Sequence, residues 1–137
     1  MKIGVASELR AGGDAAIIAC GVMVERAMDA AEELSSQGIE ARVVDMHTLK
    51  PIDREAILRA AETGAIVTAE DHSVIGGLGS AVAEILSEEC PTRMKMVGVM
   101  DKFGESGSPD EIMNKMGLTS DNIVQRVVEL VQKPGRT

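Results

Sequence analysis

Four short apolar runs punctuate the chain, Ala15–Cys20, Ala41–Met46, Ala65–Ala69 and Met94–Met100. Between them, apolar residues recur every three or four positions, the period of a helix with one buried face. Strands alternating with helices predict an α/β fold on a parallel sheet. AAIIAC and AIVTA are apolar with little alternation, as expected of strands covered on both faces, so they belong mid-sheet. The more polar segment Lys2–Arg10 predicts an antiparallel edge strand, with Gly12-Gly13-Asp14 turning the chain into the first buried run.

The spacing predicts a first helix from about Val22 to Gln37. Val24, Ala27, Met28, Ala31 and Leu34 share its inner face, Glu25, Asp29, Glu32 and Glu33 lie elsewhere, and Gly38 stops it. A second helix starts after the N-cap Asp53, turns Ile57, Leu58 and Ala61 inward and ends at Gly64. A third carries Leu78, Val82, Ile85 and Leu86 at helical spacing. Ser108-Pro109-Asp110-Glu111 reads as a capping box opening a short helix that stops at Gly117. The last helix has Thr119 as its cap, Leu118 and Ile123 as a staple, and a stripe of Ile123, Val124, Val127, Val128 and Val131, ending at Pro134-Gly135. Residues 1–137 form one domain, with a core of about 2–131 and a frayed tail at 132–137.

Composition narrows the function classes. A formal charge of -8 disfavours nucleic acid, whose binding rests on phosphate neutralisation, and Phe103 is the sole aromatic, so base-stacking platforms are missing. No apolar run approaches a membrane span and no signal-peptide stretch follows Met1-Lys2, which predicts a cytoplasmic protein. Cys20 and Cys90 match no zinc or redox spacing and read as reduced structural thiols. The nine methionines read as flexible core filler.

In open α/β sheets ligands bind beyond the carboxyl ends of the strands. The segments that follow the apolar runs hold Gly21-Val22-Met23, His47-Thr48-Leu49-Lys50, Asp71-His72-Ser73 through Gly79, and Asp101-Lys102-Phe103-Gly104. Glycines at the strand-to-helix turn Glu70–Ser80 make a candidate anion or regulatory site of His72, Ser73, Gly76, Gly77, Gly79 and Gly21, where backbone N–H groups and the helix dipole favour negative charge. The alternative is that the glycines pack helix on sheet and that His72 bonds a neighbouring loop or subunit. The lack of a basic residue between Glu70 and Arg93 favours that structural role. No Ser or Cys sits on a glycine-flanked elbow with an assignable base, and Asp71, His72 and His47 lack regular metal spacing, so no catalytic residue and no metal site is expected.

GGDAAIIACGVMV, VVDMHTLKPID, TAEDHSVIGGLGSAVAEIL and DKFGESGSPDEIMNKMGLT, in that order, resemble the C-terminal domain of transketolases over about residues 2–131. The same domain ends 1-deoxy-D-xylulose-5-phosphate synthase and the beta subunits of 2-oxo-acid dehydrogenases; FGESG and GLT favour transketolase. The resemblance implies a three-layer α/β/α domain with five strands in the order 1-3-2-4-5, the first antiparallel, and a switch point between the strands ending at Cys20 and Glu70. It also implies part of a transferase that moves a two-carbon ketol unit between sugar phosphates in the pentose phosphate pathway. Thiamine diphosphate and Mg²⁺ belong to the N-terminal and central domains of the complete enzyme, a homodimer or heterotetramer, and the family's GDG motif does not occur here. The chain alone is therefore expected to bind no cofactor and to be inactive, serving dimer assembly; a phosphate- or nucleotide-binding regulatory module is the alternative. Its start directly at the edge strand suggests an excised domain.

Overall fold

A computed structural model describes residues 4–73, 76–99 and 108–132. Its strands are β1 (Ser7–Arg10), β2 (Ala15–Ala19), β3 (Ala41–Asp45), β4 (Ala65–Ser73) and β5 (Arg93–Val99). Its helices are α1 (Met23–Ser36), α2 (Arg54–Ala61), α3 (Leu78–Glu89), α4 (Pro109–Lys115) and α5 (Ser120–Gln132). The sheet order is β1-β3-β2-β4-β5, with β1 antiparallel to β3 and the remaining pairs parallel. The expected order, with β2 and β4 meeting at the switch point, is the observed one.

The register explains the three layers. All five residues of β2 are buried, because helices cover both faces. Ala15, Ile17 and Ala19, with Val43, Val67 and Val97, pack under α1 and α5; Ala16, Ile18, Val44 and Ile66 pack under α2 and α3. Side chains alternate along a strand, so Thr68 and Glu70 share the α3-facing side with Ile66. Both are buried, at 0% and 1% exposure, where a polar group must find partners or cost stability.

Helix ends follow the sequence signals where they are described. Gly38 takes φ +85° just past α1, a left-handed stop open to glycine. Ser108 and Glu111 exchange the capping-box bonds at 3.0 and 3.2 Å, and Thr119 Oγ1 accepts from Asn122 N at 3.1 Å. Two stripes differ from expectation. On α1 the buried residues are Met23, Ala27, Ala30, Ala31 and Leu34, with Val24 and Met28 only partly covered. On α5 they are Ile123, Val127 and Leu130, while Val131 is 37% exposed, because the helix meets the sheet along a narrower line than its run of valines suggests. The edge strand is shorter than expected, beginning at Ser7, and residues 1–3 lie outside the described chain. Pro134-Gly135 and the segment from Asp101 to Gly107 also lie outside it.

Asp53 does more than cap α2. Its Oδ1 accepts from Ala56 N at 3.0 Å and its Oδ2 from Ala6 N at 2.8 Å, tying the approach to β1 onto the start of the helix. Burial alone pushes its carboxyl up, but the N–H bonds from Ala6 and Ala56, with Arg59 and the Glu55 amide, outweigh it and hold the group below its ordinary 3.8. A lowered folded value means the carboxylate stabilises the fold above 3.8 and loses that contribution as pH falls below it. Asp53→Ala is expected to cost about 1–2 kcal/mol at pH 7. Urea unfolding of both proteins should show the gap closing as pH falls from 5 toward 3; a gap that stays constant contradicts this account.

Candidate functional site

The parallel strands bring their carboxyl ends to one edge, where β2 hands over to Cys20 and Gly21, β3 to Met46 and His47, and β4 to the turn before α3. Cys20 N donates to Ala69 O at 3.2 Å and Met46 N to Ala19 O at 2.8 Å, so the three exits stay in register. Gly21 has φ +65°, and a Cβ there would lie 3.2 Å from Asp71 Oδ1. Gly21 thus sits against Asp71, near the carboxyl end of β4.

Strand β4 runs further than its apolar run, to Ser73, so Asp71, His72 and Ser73 are strand residues rather than a loop. Pairing with β5 slips between Ala69 and Ser73, which lets a polar stretch remain in the ladder. His47 belongs to the exit of β3, on the far side of β2 from β4. Its Nδ1 lies 4.0 Å from Asp45 Oδ1, and its side chain is 12% exposed.

The glycine turn divides its duties. Gly76 is exposed, with φ +76°, and its N–H donates to Ser80 Oγ at 3.1 Å. Gly77 is the N-cap of α3 and brings no side chain of its own to the helix end. Gly79 packs: a Cβ there would meet Met96 Sδ at 2.8 Å and Thr68 Oγ1 at 3.1 Å. At this turn the N–H groups of Gly76, Leu78 and Gly79 are engaged within the chain. Glu70 Oε1 accepts from Leu78 N and Glu70 Oε2 from Gly79 N, both at 2.8 Å. An external anion would have to displace Glu70. Sequence reasoning misses the role of Glu70, although its parity with Ile66 and its place eight residues before Leu78 are a readable signal.

The edge is acidic. Burial pushes the Cys20 thiol up to about 11, with Glu70, Asp71 and Asp45 adding to the effect. The thiolate is the reactive form, and at pH 8 roughly one such thiol in a thousand is ionised. Iodoacetamide at pH 8 is expected to alkylate exposed Cys90 first and leave Cys20 largely unmodified by mass mapping. Equal labelling of the two contradicts this picture. Among the described residues no group of three or more His, Cys, Asp or Glu is placed to hold a metal ion.

A wide groove of about 710 Å³ lies at the opposite edge, where Arg93, Met94 and Lys95 begin β5 beside the last turns of α5. Its cations are partly neutralised, since Arg126 and Lys95 both reach Glu129, at 2.6 and 3.5 Å. It is remote from the switch point. Among the described residues no helix is long and apolar enough to cross a membrane.

Comparison with known proteins agrees with this geometry. Residues 4–123 match the family model for the transketolase C-terminal domain. The 6-deoxy-6-sulfo-D-fructose transketolase subunit SqwH of Clostridium sp. (strain MSTE9) is 54% identical over 132 residues, 96% of this chain and 41% of that protein. An apulose-4-phosphate transketolase subunit of Phocaeicola vulgatus is 43% identical over 96% of this chain and 42% of its own length. The 1-deoxy-D-xylulose-5-phosphate synthase of Trichormus variabilis is 43% identical over 94% of this chain and 21% of that protein. A solved split gene transketolase, described as an inactive beta4 tetramer, superposes with a TM-score of 0.92 at 52% identity, over 96% of this chain and 43% of its own. The chain thus spans less than half the length of these relatives.

Proposed function

The chain belongs to the transketolase C-terminal domain family, and from that premise we propose that it is the C-terminal section of an enzyme moving a two-carbon ketol unit from a ketose phosphate to an aldose phosphate. Within that enzyme it assembles the catalyst and performs no bond-making itself. The observation that carries this reading is the carboxyl edge, where the glycine-rich start of α3 is filled by Glu70 of the same chain. Identities of 54% and 52% to two transketolases support ketol transfer.

Thiamine diphosphate and Mg²⁺ are the cofactors that the family implies. The carboxyl edge of this chain does not fit the diphosphate: Asp45, Glu70 and Asp71 cluster around Cys20, and the helix dipole of α3 is already matched by a carboxylate. The cofactor therefore belongs to the companion N-terminal and central domains, in the same or a separate chain. The complete enzyme is a homodimer or heterotetramer in the cytoplasm. Its donor and acceptor are set by the companions, in keeping with relatives whose names carry different sugars.

Association is the first expectation to check. Sedimentation of this chain with separately produced companion domains should give a complex heavier than either part. Two independent boundaries at tens of micromolar protein contradict the assembly role.

A further inference from the structure

The N-terminus of α3 has the marks of an anion site, yet its donors are taken by a carboxylate of the same chain. We infer that Glu70 is the built-in anion of this helix end and acts as a positioning residue, clamping the start of α3 to β4 at the carboxyl edge.

Glu70 is 1% exposed and spends each oxygen on a separate N–H, Leu78 and Gly79, both at 2.8 Å. Isolated burial of a carboxylate is costly; here the charge-assisted bonds and the positive end of the helix dipole compensate it. Gly77 brings no capping side chain to α3, and the first turn of the helix contains no acidic residue. The clamp spans eight and nine residues of sequence, joining the end of a central strand to the start of the helix packed on it. Gly79 lets the helix end approach the sheet closely, since a Cβ there would meet Met96 Sδ and Thr68 Oγ1. The consequence for catalysis rests on the ketol-transfer reading; the clamp itself does not.

Amide hydrogen exchange on this chain, with inorganic phosphate and formate as probes, tests the clamp directly. In the wild type, Leu78 and Gly79 should be protected and unmoved by millimolar phosphate or formate. In Glu70→Ala both amides should exchange at least about tenfold faster, with Ile17 and Ile18 unchanged, and formate should restore protection by entering the vacated space. Glu70→Gln keeps one acceptor and should expose one of the two amides. Wild-type shifts at Leu78 and Gly79 on adding phosphate would overturn the inference, as would full protection of both amides in a folded Gln variant, which decides the matter if the Ala variant does not fold. In the assembled enzyme, Glu70→Ala should lower kcat by roughly tenfold with KM little changed, and formate should recover the loss. An unchanged kcat in a variant whose clamp has opened overturns the positioning role. Absence of ketol transfer in the wild-type assembly would count against the enzyme reading alone, because the exchange results need no activity.

Discussion

Gly12→Ala is expected to destabilise the chain by about 3 kcal/mol, near the upper end for overpacking, and to lower Tm by on the order of 10 °C. A Cβ at this position would lie 2.5 Å from Ala41 C, 2.6 Å from Arg42 N and 2.7 Å from Glu40 O. All three are backbone atoms at the start of β3, so no side chain can swing aside. The approach is fixed by neighbouring bonds: Asp14 N donates to Glu40 O at 3.0 Å, and Asp14 Oδ2 accepts from Glu40 N at 2.8 Å. Arg42 Nε also donates to Gly12 O, at 3.3 Å. The adjacent Gly13→Ala is the control, because nothing lies within 4 Å of its Cβ and its φ is not in the left-handed region. It should be neutral or stabilising by up to about 1 kcal/mol, through the unfolded chain. Thermal unfolding of the two variants decides; equal effects would show that the β2–β3 approach is looser than the geometry indicates.

The fold is legible because its determinants are local and periodic. β2 and β4 read as buried strands from unbroken apolar runs, and Asp53, Ser108 and Thr119 read as caps from residue type and spacing, with the bonds to match. Strand order does not follow from periodicity; it comes with the family resemblance, since nothing local to β1 says that it pairs with β3 across two intervening elements. Val131 falls outside the buried stripe because hydropathy shows which residues are apolar but not how far a neighbouring layer extends.

The site is less legible for a related reason. Gly21 and the Gly76–Gly79 turn belong to the carboxyl edge because the topology of parallel strands dictates it. What fills the helix end is hidden, because glycine spacing advertises free N–H groups and is silent on a carboxylate arriving from the preceding strand. Glu70 also stands directly after an apolar run, where a charged residue is ordinarily read as the first solvated position. Only the alternation along β4 reveals that it points toward α3.

The second large effect is in activity, and it is expected to be all or none. Among the described residues, the carboxyl edge carries acidic groups, a helix end filled by Glu70 and a Cys20 thiol that burial pushes up to about 11. The companion domains, with thiamine diphosphate and Mg²⁺, are expected to need this chain to complete the assembly. The deciding measurement is ketol transfer, with both cofactors present, for the chain alone, the companions alone and the two combined. Turnover on the order of 10 s⁻¹ only in the combination is the result predicted for an assembly module. Turnover by the chain alone, or companions whose rate does not change when the chain is added, would contradict it.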